Sequence, residues 1–348
     1  YFLRAYYYFE LVKFFGDVPL FTEARLTAGQ AGTLTRTPKD EVYAQIELDL
    51  QNAIASLPNS QSQVGRVNKY TAYALLGKVL LYQDKFAEAA SALDNVIGVY
   101  SLVSDYGSQF LRFGENGPES VFEIQYSNQS NWYDWGCAHC SEGNYAIIMN
   151  GPRGWSGPEY AQGWSFNVPT EEFYNSFEEG DSRRDATVLD IEAFAAATGA
   201  SYTEGYDHTG YFNNKYIPRA GESGGQTELN YLTNFRIIRY SDVLLMAAEA
   251  YNRGGIDDGL AQEFLNQVRR RAFGGDDNDI SASGSALTDA IWEERKFELS
   301  LEGHRFFDLV RTGRASSLIA GFVEGKHEVF PIPQQEVDIS GLTQNAGY

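Results

Sequence analysis

The residue types that could do chemistry are few and scattered, apart from one dense run of aromatics. Cys137-Ala138-His139-Cys140 sets two thiols and an imidazole close together. A structural zinc needs four ligands and three are present, so a metal is not expected. The two cysteines read instead as a short-range disulfide if the protein is exported, and otherwise as free thiols. His139, His208, His304 and His327 are too dispersed for a catalytic triad to be argued. Gly321–His327 is too short for a phosphate-cradling loop and lacks Ser or Thr after Lys326. Neither G-x-S-x-G nor H-E-x-x-H occurs. Asp276-Asp277-Asn278-Asp279 misses the calcium-loop spacing and reads as a solvated turn. The 47 acids make some carboxylate pair at hydrolytic spacing inevitable, but nothing singles out one with a raised pKa. The expectation is a non-enzyme with no catalytic residue, metal or cofactor.

The aromatic run has more content. Four of the five tryptophans (Trp132, Trp135, Trp155 and Trp164) lie between 132 and 164, with Tyr133, Tyr145 and Tyr160 among them. This stretch is rich in Gly, Asn and Ser and has no sustained period, so it reads as loops. A flat indole suits the apolar face of a sugar ring, and amide or carboxylate side chains suit its rim of hydroxyls. Asn128, Gln129, Asn131, Asp134 and Asn150 are near enough in sequence to supply that rim. The candidate ligand-binding residues are Trp132, Tyr133, Trp135, Trp155, Asn131 and Asp134. The competing reading makes the rings a small core plugging their own lobe.

The elements that must position this run are helical. Residues 286–313 carry Ile291, Trp292, Phe297, Leu299 and Leu301 at roughly helical spacing. Glu294, Glu298 and Glu302 recur every fourth residue, predicting one acidic stripe. Gly303 offers a break before a second short helix with Arg305, Asp308 and Arg311. Charge stripes beside large apolar faces predict ion pairs partly buried between packed elements, structural in role. Phe2–Val12 reads as a helix ending near Gly16. Thr37-Pro38 reads as N-cap and first helical residue of a helix with Val42, Ile46, Leu50, Ala53, Ile54 and Leu57 on one stripe, ended by Pro58. In 69–99, Tyr73, Leu76, Gly77, Ala89, Leu93 and Val96 fall at tetratricopeptide offsets around a Gln83–Lys85 turn. Gly77 and Ala89 would mark the close approach. A second pair at 241–272 places Ala248, Tyr251, Ala261, Leu265 and Val268 around Gly254-Gly255. Glu119–Tyr126 reads as a strand.

Composition bounds the function. With 348 residues, 43% hydrophobic and 21% charged, the chain can bury a sizeable core. A net charge of −20 argues against a nucleic-acid partner, since phosphates would go unneutralised. The 23 Tyr and 22 Phe exceed what the helices need. No run approaches the ~18 apolar residues of a membrane helix.

Six segments, in order, resemble the SusD/RagB family of outer-membrane lipoproteins of Bacteroidetes. They are Phe2–Leu20, Glu119–Tyr126, Gly163–Thr170 with Glu179–Arg184, Arg239–Ala250, Glu293–Gly313 and Val329–Tyr348. The resemblance implies a mostly α fold of tetratricopeptide-like helix pairs with an inserted loop-rich lobe containing short strands. On that pattern 1–99 with 237–314 form a discontinuous helical platform, 100–236 with 315–348 the irregular ligand-binding lobe, and the whole one compact unit. It implies capture of glycan or peptide nutrients for a SusC-type TonB-dependent transporter at the cell surface. It also implies a lipid anchor on an N-terminal piece absent here, because Tyr1–Val12 opens mid-helix without a cap. Trp164 falls in a family segment and is set aside as packing. The alternative is a helical-repeat adaptor binding only proteins.

Overall fold

The computed structural model describes residues 1–129, 135–223 and 229–348. It is mostly helical, with a few short strands. The chain divides into two compact units. One comprises Tyr1–Ser62, Arg66–Val96 and His304–Tyr348; the other comprises Gln63–Gly65 and Ile97–Gly303. Among the described residues, no helix is long and apolar enough to cross a membrane.

The first unit is built on the helices Phe2–Phe15, Lys39–Ser56, Lys69–Leu81 and Phe86–Asp94, with Arg305–Arg311 and shorter helices from the C-terminal stretch. The opening helix stops where predicted: Gly16 adopts φ 68° and returns its N–H to Val12 O, a turn that glycine makes without a Cβ penalty. In Lys39–Ser56 the stripe Val42, Ile46, Leu50 and Ala53 is buried. That helix begins one residue later than expected. Pro38 takes the N-cap position, and the Asp17 carboxylate accepts from the Lys39 N–H at 2.8 Å. Arg4 grips Asp49 with two bonds of 2.6 Å, tying the first helix to this one.

Lys69–Leu81 opens with a reciprocal cap between Asn68 and Thr71. Its partner Phe86–Asp94 follows a turn in which Asp84 takes φ 55°. The close approach predicted at Gly77 is present. A Cβ built there would lie 2.5 Å from both Cγ and Cδ2 of Leu93, which is fully buried, as is Ala89.

The second unit holds the other pair, Tyr240–Arg253 and Asp258–Phe273. Gly255 turns the chain at φ 62°, and Asp257 caps the second helix by accepting from the Leu260 N–H at 3.0 Å. Helix Gly284–Glu298 packs on the first of the two. The expected strand is Ser120–Ile124, antiparallel to Phe235–Arg239. Two more antiparallel pairs, Arg153–Ser156 with Ser201–Thr203 and Val188–Asp190 with Tyr211–Asn213, complete the strands described.

The acidic stripe reaches a buried ionic cluster inside this unit. Glu294 bonds Arg183 at 2.5 Å and Arg269 at 2.8 Å. Glu298 meets Arg271 at 2.6 Å, Arg239 at 2.9 Å and Arg183 at 3.1 Å. One detail differs from the periodic reading. The helix ends at Glu298, Leu301 and Gly303 both take positive φ, and Glu302 is carried by this turn. It still arrives in the cluster, 2.8 Å from Arg239 and 2.7 Å from Lys215. Burial alone would raise the Glu298 carboxyl, but Arg271, Arg239, Arg183 and Lys215 outweigh it and hold it well below the ordinary range. Burial pulls Lys215 down to about 8, against the opposing pull of Glu302.

Two outcomes follow for stability. Gly77→Leu overfills the contact with Leu93 and should cost about 1–3 kcal/mol, read as a lowered melting temperature; an unchanged value would mean the helices can part freely. Glu298→Gln removes the negative charge that three arginines share and turns one of its two acceptor oxygens into a donor, and should cost ~3–5 kcal/mol in denaturant unfolding. Because the folded carboxyl is depressed, its contribution is present above the ordinary carboxylate pKa and lost as pH falls through the folded value. The Gln variant should therefore lose stability less steeply in acid than the parent, and equal slopes would refute the assignment.

Candidate functional site

The site is built upward from the ionic cluster. The Tyr106 hydroxyl donates to Glu298 O at 2.7 Å, and burial raises its pKa, so it remains a neutral donor. Arg271, Lys215 and Arg239 stand 4.8, 5.1 and 5.7 Å from the Tyr106 ring centroid. Lys215 and Arg239 also face Phe110, at 4.9 and 5.4 Å. Cations over ring faces orient these two rings as well as attracting them. Tyr106 and Phe110 in turn belong to an apolar cluster with Ile147, Ile148, Tyr216 and Tyr231, and Trp164 packs against it.

Trp164 is set by a tight pairing of two chain segments. Its N–H donates to Ile148 O at 2.9 Å, Phe166 N–H to Met149 O at 2.8 Å, Ser165 N–H to Gly151 O at 2.8 Å and Gly163 N–H to Pro152 O at 2.8 Å. The segments can run this close because both carry glycine at the crossing. A Cβ on Gly163 would fall 2.4 Å from the Gly151 Cα. Ser165 and Asn167 take positive φ, and the Asn150 amide accepts from Asn167 Nδ2 at 3.4 Å.

On this base stands an aromatic platform. Trp135 stacks on Trp164 with centroids 5.6 Å apart and planes 29° from parallel, and Phe166 meets Trp164 edge-on at 6.2 Å. Trp135 is 52% exposed and Phe166 51%, so both present surface to a ligand. Trp135 begins the short 3-10 helix Trp135–Cys140, kinked at Cys137. Cys137 is disulfide-bonded. Arg153 lies beside the platform, 5.6 Å from the Phe166 centroid.

The candidate residues separate into groups. Asn131, Trp132, Tyr133 and Asp134 lie outside the described residues. Trp135 stands on the platform. Trp155 is elsewhere: it is partly buried against Tyr160, Leu189, Ile191, Phe212 and Ile217, 5.9 Å from both Tyr160 and Phe194. The plug reading describes Trp155 well and Trp135 poorly. Of the suggested rim, Gln129 is exposed and bonds the Asn128 side chain at 3.0 Å. Asn150 is buried and occupied, donating to Ala146 O and Tyr216 O. The sequence reading set Trp164 aside as packing and did not single out Phe166 or Arg153. Trp164 and Phe166 differ by two residues, and a Gly-Trp-Ser-Phe alternation was the available signal.

The arrangement offers stacking surface and hydrogen-bond donors. Among the described residues, no group of His, Cys, Asp and Glu is placed to hold a metal ion.

Comparison with known proteins gives the chain's relatives. Residues 190–321 match the family described as the SusD family, and residues 1–81 one described as starch-binding associating with outer membrane. SusD-like protein P2 of Formosa agariphila is 30% identical, across 100% of this chain and 73% of its own length. A solved laminarin-binding SusD-like protein is 40% identical with TM-score 0.90, over 99% of this chain and 77% of its own. Surface glycan-binding protein A from Bacteroides thetaiotaomicron, solved in complex with laminarihexaose, is 32% identical with TM-score 0.87, over 99% of this chain and 76% of its own.

The separation of the two tryptophans is testable by folding alone. Trp155→Ala should empty part of its cluster and cost on the order of 2–4 kcal/mol, below the ceiling for a fully buried ring. Trp135→Ala should leave the melting temperature within a few degrees. The reverse pattern would exchange their roles.

Proposed function

This chain belongs to the SusD family, and from that premise we propose that it captures glycan at the Trp135–Trp164 platform and passes it to a SusC-type TonB-dependent transporter. The observation that carries the reading is the half-exposed indole of Trp135, stacked on a partly buried Trp164 that is anchored below. A sugar ring laid on such a surface buries its C–H face and leaves its hydroxyls at the rim. The relatives named above point to the ligand class, a laminarin-type glucan. The protein acts as a binder at the outer face of the outer membrane, held there by a lipid, and leaves its ligand uncut. A purely protein-binding adaptor has no use for this surface.

The decisive experiment is calorimetry with laminarihexaose. Trp135→Ala should weaken binding roughly 5- to 150-fold, by analogy with the ~1–3 kcal/mol of a base stacked on an aromatic, and the recovered hexaose should be intact on chromatography. Undiminished binding would move the site elsewhere; shortened product would make the protein a hydrolase. In cells the same substitution should slow growth on the glucan only while the transporter gene is present. A transporter-independent effect would sink the delivery step.

A further inference from the structure

We propose that Arg153 is the hydrogen-bonding arm of the platform and reads a neighbouring pair of hydroxyls on an uncharged glycan, an assignment that rests on the glycan reading of Trp135 and Trp164. The side chain is exposed, yet it is held at two points. Its Nε donates to the Trp164 carbonyl at 2.6 Å, and its guanidinium carbon lies 5.6 Å from the Phe166 centroid. Its backbone is fixed as well, by strand pairing with Thr203 and by donation of its N–H to Ser165 Oγ at 3.1 Å. Of the five guanidinium N–H donors, Nε–H is thus committed, while Nη1 and Nη2 make no hydrogen bond with the described residues. An arginine whose long side chain is already immobilised has little rotamer entropy left to lose on binding.

The chemistry of the ligand follows from what stands around this fork. Arg153 presents donors only, so it needs acceptors, and two adjacent sugar hydroxyl oxygens fit its planar geometry. A sulfate or uronate would also accept, but among the described residues Arg153 is the one cation set against the platform's rings, and a charged ligand asks for more. Arg219 stands over Tyr160, in the cluster that holds Trp155, and is engaged there by Glu159 at 3.1 Å and by Asn214. The net charge of −20 repels polyanions from the whole surface. Arg153 therefore selects among neutral glycans by how their hydroxyls are spaced, while the indoles supply stacking that discriminates little.

The test uses Arg153→Met, which keeps an unbranched apolar side chain and removes the fork, and Arg153→Lys, which keeps the charge alone. With laminarihexaose as probe, the Met variant should bind about tenfold more weakly, the scale of a lost hydrogen bond to a charged group, and Lys should recover only part of that. The loss should be the same at low and at high salt, and the near-ultraviolet dichroism of the indole pair should not change. Met binding as tightly as the parent would overturn the proposal. So would a loss accompanied by altered dichroism, which would make Arg153 a strut for Trp164. Tighter binding of a sulfated oligosaccharide, abolished by salt, would overturn the uncharged class. Trp135→Ala keeps the two readings apart. If it and Arg153→Met both bind normally, the platform reading itself has failed; if only Arg153→Met does, the arm alone is wrong.

Discussion

The second unit depends on a charge problem solved far from water. Five cations (Arg183, Lys215, Arg239, Arg269 and Arg271) and the carboxylates of Glu119, Glu294, Glu298 and Glu302 are almost wholly removed from solvent. Each would be prohibitively costly alone, and the low-dielectric surroundings make every pairing strong. Such a cluster tolerates few geometries, because moving one member strands several others. Its contribution is therefore definition: it fixes where the helix end at Glu298, the turn at Glu302 and the strand end at Arg239 must meet.

That definition is passed upward by aromatic rings. Tyr106 and Phe110 touch charge on one hand and the apolar cluster under Trp164 on the other. A continuous chain of contacts thus leads from Glu298 through Tyr106 to Ile148 and Trp164, and from there to the exposed indole of Trp135. The proposed binding surface is the outermost layer of a stack whose lowest layer is ionic. A ligand meets rings already held in place, so little ordering remains to oppose association.

Much of the scaffold was legible in the sequence because helical order is local. Gly77, Ala89 and the stripe from Val42 to Ala53 announce themselves by spacing, and the contacts they make lie within a few turns of chain. Glu294 and Glu298 were legible as a paired stripe, but Glu302 was assigned to the helix although the chain turns before it. Periodicity carries no record of where a helix stops when the stop is made by a left-handed Leu301. The site was legible only in part. Aromatic density marked the region and Trp135 within it, but Trp155 and Trp135 look alike in sequence and differ only in what distant segments bring to them. Trp164 was discounted as packing, and it does pack; that it also carries Trp135 shows only in the fold. Arg153 gave no signal at all, since its value comes from a carbonyl and a ring that the fold places beside it.

The contact between Gly151 and Gly163 gives the surface an uneven capacity for evolutionary change. The rings can drift: an indole exchanged for a phenol or a phenyl gives up some area and shifts preference by degrees. The glycines cannot: a carbon added to Gly163 would wedge the segment carrying Trp164 and Phe166 away from Gly151, and one added to Gly151 would strike Pro218. Lineages adapting to new glycans would thus explore the platform's composition freely while its two bare backbones stay locked together.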